Sequence, residues 1–444
     1  MTPATTVVTV SRLKAGGPWS PDTKFGAMAP SDHEDGRPRW GSTAAWLSRT
    51  PTSWVAGAAV VAWLLSAGYM LRFGASWHLD LRVYREAGSA LFHGGSPFTE
   101  EFTVSRLPFT YTPFGLLVLS PLAFGALGLV EWVWWMVSAG CLVVSGVLML
   151  GSTFTLPARR AWAVAALLGA VATVALEPVR SNFDYGQINV ILMVMVVADL
   201  TRVRGPWRGV LVGLAAAVKL TPVIYLVYFA VARDWRSLVR AVATILVVTG
   251  LSWAVLPADS ARYWFHQFYD AKRTGPLGIV SNQSWNGVVH RAPFDGGHLG
   301  TAVWIALSVA TLACGAVLTR WLVVGTRTAE AVMVLALTEV LVSPVSWTHH
   351  WSWLALAPIV AASVARVHRS VAVALMVLVG LAVFTPYLWI RHGPLADVTS
   401  NSLVLGAAAV LIVWLAAEAR SRRSSGLGPL APRSVSGPGV GRLH

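Results

Sequence analysis

The sequence predicts an all-α polytopic membrane protein, and three observations carry that reading: few charges, long apolar runs, and arginines gathered between the runs. Of 444 residues, 55% are hydrophobic and 12% charged. Soluble proteins carry about 25% charged residues, so the composition suits lipid as the solvent. A helix crossing hydrocarbon needs roughly 20 mostly apolar residues, and residues 54–71, 238–256, 301–324, 371–390 and 403–417 approach that length. Basic clusters at Arg159/Arg160, Arg202/Arg204/Arg208, Arg233/Arg236/Arg240, Arg320/Arg327, Arg366/Arg369 and Arg420/Arg422/Arg423 separate the runs. The positive-inside bias puts all of them on the cytoplasmic side. The net charge of +14 is then a topology signal, because no compact basic domain exists to bind nucleic acid.

In chain order, residues 1–50 mix Pro, Gly, Ser and both charge signs, with no apolar core before a small-residue cleavage site. They read as a disordered cytoplasmic tail, with the first span as an uncleaved anchor. A long loop, 74–108, follows that span. It opens on His78-Leu79-Asp80-Leu81-Arg82-Val83-Tyr84 and continues as an amphipathic segment over 83–93.

The apolar stretch 109–151 is long enough for two crossings, but two would place Arg159 and Arg160 outside. Residues 108–125 are therefore expected to lie in or dip into the outer interface, with 127–151 as the true second span. Pro108, Pro113 and Pro121 favour this, since proline breaks a continuous helix and restricts the residue before it.

The run 209–232 has arginine clusters at both ends, which one helix cannot leave on one side. A hairpin of two short spans turning near Lys219-Leu220-Thr221-Pro222 satisfies both. Short or broken helices are tolerated at membrane depth where they face protein or a water-filled cavity.

The count is then about twelve spans, with both termini cytoplasmic in the plasma membrane. Residues 51–420 form the transmembrane domain, and the Ser/Gly/Pro-rich basic stretch 421–444 is expected to be a disordered tail. Cys141 and Cys314 each fall inside an apolar run and read as small buried hydrophobes. No halving into similar units is visible, which counts against a secondary transporter built from repeats.

Nearly every polar island falls on the outer side. Asp80 could take a proton from an attacking hydroxyl if burial tunes it, or could be a helix cap or the partner of Arg82 or Arg85. Leu107-Pro108-Phe109-Thr110-Tyr111-Thr112-Pro113-Phe114 suits an aromatic interfacial anchor as well as a lipid-chain groove.

Glu177-Pro178-Val179-Arg180-Ser181-Asn182-Phe183-Asp184-Tyr185-Gly186-Gln187-Ile188-Asn189 is the densest patch. Its Arg180 could hold a phosphate bidentately, while interhelical hydrogen bonding accounts for Gln187 and Asn189 equally well. Lys219 at its turn is not expected to face lipid.

Asn282-Gln283-Ser284-Trp285 and Ser343-Pro344-Val345-Ser346-Trp347-Thr348-His349-His350-Trp351 combine amides or hydroxyls with an indole, a common way to hold a sugar. Adjacent helical residues point about 100° apart, so His349 and His350 make a weak chelate, and phosphate contact or polar structure is the better reading. No phosphate-binding loop, dinucleotide glycine fingerprint or zinc spacing occurs. An enzyme of this composition must take its donor from the membrane.

The ordered series of these islands, Asp80-Leu-Arg-Val-Tyr84, Leu107-Pro-Phe-Thr-Tyr111, Glu177 to Asn189, Val218-Lys-Leu-Thr-Pro222, Asn282 to Trp285 and Ser343 to Trp351, resembles glycosyltransferase family 87. That resemblance covers roughly residues 54–420. It implies a GT-C membrane enzyme with interfacial helices in its first outer loop, using a polyprenyl-phosphate sugar as donor and no further cofactor. It implies inverting α-1,2 transfer of mannose to a mannosylated lipid acceptor, a phosphatidylinositol mannoside, on the extracytoplasmic face.

Asp80 then corresponds to the base, and His349 and His350 to residues facing the donor phosphate. Arg180 and Lys219 become further phosphate candidates, and Tyr84, Tyr111, Asp184, Gln187, Asn189, Asn282, Gln283, Trp285 and Trp347 become candidates for the substrate site. No metal ligand is assigned. Thr112 departs from the family's second proline in Tyr-Pro-Pro. Transfer of arabinofuranose, branching of a longer mannan, and transport of a lipid-linked sugar are the rival readings.

Overall fold

A computed structural model describes residues 50–73, 78–292, 297–390 and 392–425. The two expected tails lie outside the described residues, except for Thr50 and the stretch 421–425.

The chain runs through α1 (Thr52–Phe73) and α2 (Leu79–Phe92) into a two-residue hairpin, β1 (Glu101–Phe102) antiparallel to β2 (Leu107–Pro108). Then come α3 (Pro113–Leu119), α4 (Leu127–Thr153), α5 (Ala158–Ala175), α6 (Glu177–Tyr185) and α7 (Asn189–Thr201). The middle of the chain holds α8 (Val210–Val218), α9 (Leu226–Ala232), α10 (Trp235–Val255), α11 (Pro257–Arg262) and α12 (Trp285–Arg291). The last part holds α13 (His298–Val324), α14 (Thr328–Val342), α15 (Ala357–Val364), α16 (Arg369–Phe384), α17 (Pro386–Trp389) and, at the end, α18 (Ser402–Ser424).

Among the described residues seven helical stretches are long and apolar enough to cross a membrane: α1, α4, α5, α10, α13, Arg369–Trp389 and α18. An eighth arises if α6 and α7, which meet at 115°, count as one broken span. Twelve were expected, and the length criterion leaves out shorter apolar helices such as α14. The run α14 has 15 residues and is buried from Ala329 to Leu341. A helix apolar all round and covered by protein need not match the bilayer in length.

Both apolar runs that resist simple span counting are broken into short helices. Pro113–Ala123 is a short apolar helical stretch ahead of the 27-residue α4. Thr112 caps α3: its Oγ1 accepts from the Gly115 amide at 2.9 Å and donates to the carbonyls of Ala217 and Val218. Thr112 thus ties α3 to the end of α8. A Cβ on Gly115 would come within 2.6 Å of the Val218 carbonyl oxygen, so this approach requires glycine.

The run 209–232 folds back as expected, since Arg208 and Asp234 form an ion pair at 3.2 Å across its two ends. Its first arm, α8, has 9 residues, or roughly 14 Å of helix, which is about half the hydrocarbon thickness. Each arm is shorter than a full span, and Lys219 sits at the tip of the hairpin.

Helix α4 separates the polar ends of the molecule. Near its start Glu131 receives Arg82 at 3.1 Å. Near its end Gly151 lies against the Arg202 guanidinium, and Arg366 stacks on Phe154 at 4.6 Å. Residues 131 and 151 are roughly 30 Å apart along a helix, so the segment carrying Asp80 and the arginine clusters occupy opposite ends.

Candidate active site

The end of the molecule opposite those arginines holds a cavity of about 430 Å³, within the range of small-ligand sites. Its walls come from α2 (Asp80, Tyr84), the segment before α3 (Tyr111), the α6–α7 bend (Gln187), the Lys219 turn, residues 263–274 and residues 343–350.

Asp80 occupies the first turn of α2. The alternatives of an ion pair with its neighbouring arginines are excluded by their positions: Arg82 turns to Glu131, and Arg85 donates to the Gly125 carbonyl at 2.9 Å. Its Oδ2 instead accepts from Gln187 Nε2 at 2.6 Å. A helix N-terminus favours a carboxylate, yet burial is the larger influence here. Burial pushes the Asp80 carboxyl up to about 6, against the lowering effects of the Gln187 hydrogen bond and the Lys219 charge.

Gln187 reaches Asp80 because α6 ends abruptly. Gly186 takes a left-handed conformation (φ 67°), and the Gln187 amide closes the helix on the Asn182 carbonyl at 2.8 Å. A Cβ on Gly186 would lie 2.6 Å from Leu81 Cβ, so both conformation and proximity demand glycine. Behind Gln187 stand Tyr84 and Tyr111, their hydroxyls 2.7 Å apart, with Tyr111 2.9 Å from Gln187 Oε1. Burial holds both phenols above their ordinary range and thus protonated. Their rings meet edge to face at 5.1 Å, and Phe109 and Phe98 extend the cluster.

Lys219 forms the second polar centre. Its Nζ donates to Asn189 Oδ1 at 2.8 Å and stands 3.2 Å from His350 Nε2. Asn189, at the start of α7, also donates to the His349 carbonyl at 3.1 Å. Burial, with the Lys219 charge, pushes both imidazoles well below their ordinary range. They are neutral hydrogen-bonding groups, and the cation is the lysine. His349 Nε2 is buried with no hydrogen-bond partner among the described residues, and the residue lines the cavity. Among the described residues no three His, Cys, Asp or Glu side chains gather where they could hold a metal.

The wall therefore includes Asp80, Tyr84, Tyr111, Gln187, Lys219, Trp347, His349 and His350, with Asn189 immediately behind. Other expected residues stand apart. Arg180 Nη1 donates to the Val174 carbonyl at 3.2 Å near the end of α5, and Asp184 is likewise not on the wall.

The amides expected to hold sugar are used by the fold. Asn282 Oδ1 accepts from the Ser346 amide and Ser284 Oγ, both at 2.9 Å, and its Nδ2 donates to the Leu277 carbonyl at 2.9 Å. Gln283 Nε2 donates to the Val280 and Ser400 carbonyls, and Trp285 Nε1 to Thr311 Oγ1. These residues hold the 343–350 wall in place from behind.

Sequence reasoning missed Arg273. It lines the cavity and donates to the Phe109 carbonyl at 3.3 Å. Burial lowers its pKa, and Asp270 and Tyr263 oppose that shift. A signal existed: Arg262, Lys272 and Arg273 lie in a stretch read as outer loop, against the positive-inside bias. Thr348 was also missed; Glu177 fixes it at 2.8 Å and holds Tyr387 at 2.7 Å.

Comparison with known proteins places these elements in a family context. The family model "Glycosyltransferase family 87" matches residues 109–344. The chain is 34% identical over 356 residues to a polyprenol-phosphate-mannose-dependent alpha-(1-2)-phosphatidylinositol mannoside mannosyltransferase of Mycolicibacterium smegmatis, covering 73% of this chain and 79% of that protein. It is 33% identical over 293 residues to a polyprenol-phosphate-mannose-dependent alpha-(1-2)-phosphatidylinositol pentamannoside mannosyltransferase of the same organism, covering 64% and 69%. Among solved structures, ArnT from Cupriavidus metallidurans bound to undecaprenyl phosphate aligns with 87% of this chain and 79% of its own, at 18% identity and a TM-score of 0.33.

Proposed function

The chain belongs to glycosyltransferase family 87, and from that membership we propose that it transfers mannose from polyprenyl-phosphate-mannose to a phosphatidylinositol mannoside in an α-1,2 linkage. It is a membrane mannosyltransferase; the linkage, the acceptor and the face of action are our reading.

The observation that carries the reaction is Asp80: a carboxylate on the cavity wall, with no cationic partner in hydrogen-bond contact among the described residues and a pKa raised to about 6. Such a group is ionised near neutral pH yet basic enough to take a proton. In the proposed step an acceptor hydroxyl gives its proton to Asp80 while its oxygen bonds to the anomeric carbon. The bond from that carbon to the phosphate oxygen breaks on the opposite face. The phosphate keeps the electron pair and gains one negative charge, so it needs cations and hydrogen-bond donors more than an acid. Lys219 and Arg273 are the cations on the wall, and His349 is the neutral donor with a free nitrogen. No cofactor beyond the lipid-linked donor enters this scheme.

The outer face is favoured because the cavity and the arginine clusters occupy opposite ends of α4, and the clusters mark the cytoplasm. The test is purified protein in detergent with polyprenyl-phosphate-mannose and a mannosylated phosphatidylinositol. A mannosyltransferase forms product without a sealed membrane, whereas a transporter of lipid-linked sugar forms none. Polyprenyl-phosphate-arabinofuranose as donor, and lipomannan as acceptor, should be poor substitutes. Full activity in Asp80→Asn would sink the assignment of the base.

A further inference from the structure

The three polar side chains behind Asp80 form a sequence of contacts whose direction can be worked out from their protons. Each phenol carries one proton. The 2.7 Å contact between Tyr84 and Tyr111 and the 2.9 Å contact from Tyr111 to Gln187 Oε1 use both, if Tyr84 donates to Tyr111 and Tyr111 to the amide. The longer 3.3 Å approach of Tyr84 to the same oxygen is the weaker alternative. With Oε1 accepting, the amide must present Nε2 to Asp80, and the 2.6 Å separation there is short for an amide donor. An amide donor at that position suits the ionised carboxylate, which only accepts.

All three residues touch the cavity wall with little of their surface: Tyr84 is 1% exposed, Tyr111 6% and Gln187 7%. That little exposed surface argues against sugar contact as their main role.

We infer that Tyr84, Tyr111 and Gln187 form a directional hydrogen-bond chain that holds Oδ2 of Asp80 and leaves Oδ1 to receive the acceptor's proton. Gln187 is thus a positioning residue, acting through Asp80. This rests on Asp80 being the base. Both ends of this amide are committed, the nitrogen to the carboxylate and the oxygen to the Tyr111 hydroxyl behind it. The chain also sets the working pH, because a donor to the ionised form favours that form. The charged group facing Asp80 is Lys219, from the turn after α8. The titratable ones are Tyr84 on α2, Tyr111 before α3 and Tyr185 at the end of α6.

The experiment measures kcat/KM against pH for the full chain in detergent with polyprenyl-phosphate-mannose, comparing wild type, Gln187→Met, Gln187→Glu and Tyr111→Phe. Gln187→Met should move the acidic limb up by about half a pH unit or more and lower kcat about 10- to 100-fold, with donor KM little changed. Gln187→Glu should move the limb further, because two carboxylates in contact share a proton. Tyr111→Phe keeps the amide and should shift the limb less, in the same direction.

A fall in kcat with the limb unmoved in all three variants would reduce the chain to packing and overturn the inference. If Gln187→Met does not fold, Gln187→Glu and Tyr111→Phe still decide it. Asp80→Asn, run alongside, separates the two failures: an active Asp80→Asn defeats the base, whereas an inactive one with unmoved limbs defeats only the chain.

Discussion

Arg208 and Asp234 stand at opposite ends of an apolar run and meet at 3.2 Å. Their contact closes the base of the hairpin whose tip carries Lys219. Asp234 also caps α10, accepting from the Ser237 amide at 3.2 Å. Asp234→Ala should therefore cost about 1 kcal/mol for the cap and at most about 1 kcal/mol for the partly exposed pair. Unfolding in detergent measures it. Turnover should stay within about threefold of wild type, since packing of α8 on α10 survives.

At the tip, Lys219→Met removes the cation that Asn189 and His350 orient. By analogy with loss of one oxyanion donor, kcat should fall about 100- to 1,000-fold. Single-turnover kinetics with the lipid-linked donor reads this directly. A variant as fast as wild type would transfer the role to Arg273.

Activity should fall on the acid side near the Asp80 titration. As the proposed base, Asp80 acts only when ionised, and burial raises its pKa to about 6. The rate should therefore drop tenfold per unit well below that value, as for any single ionisation, and decline again above about 8, the value to which burial lowers Lys219. A limb near 4, the ordinary carboxylate value, would contradict the burial argument.

Arg180→Ala should leave donor affinity unchanged, because the guanidinium engages the Val174 carbonyl and not the cavity. The expected penalty is stability, about 1 kcal/mol for a partly exposed hydrogen bond. Titration of polyprenyl phosphate against the variant checks this, and a tenfold loss of affinity would return Arg180 to the site.

Asn282→Ala should act through the fold. The buried amide closes three hydrogen bonds, and its loss strands the Ser346 amide and the Leu277 carbonyl at about 1–3 kcal/mol each. A large drop in thermal midpoint, with activity falling in proportion to folded protein, is the expected result. Normal stability with a raised acceptor KM would show that Asn282 touches sugar.

These outcomes divide along a physical line. Apolar length and arginine placement are properties of local stretches, so the long helices, the short helical break before α4 and the return of the chain at Lys219 are legible in the sequence. Length and apolarity by themselves mark fewer crossings than the twelve expected, because bilayer thickness constrains only helices that lipid must cover, and α14 is covered by protein.

Among site residues, the sequence by itself determined that Asp80, Lys219 and the two histidines belong to polar islands on one side of the chain. It could not distinguish amides that face a cavity from amides that staple its wall; Gln187 and Asn282 look alike in one dimension. Only the tertiary structure decided that Gln187 meets Asp80 across 107 positions while Asn282 bonds Ser346, and that Arg273 joins the wall. The reason is that polarity of a segment follows from its own residues. Which polar atom finds which partner depends on how distant helices pack, and on glycines such as Gly186 that let them approach.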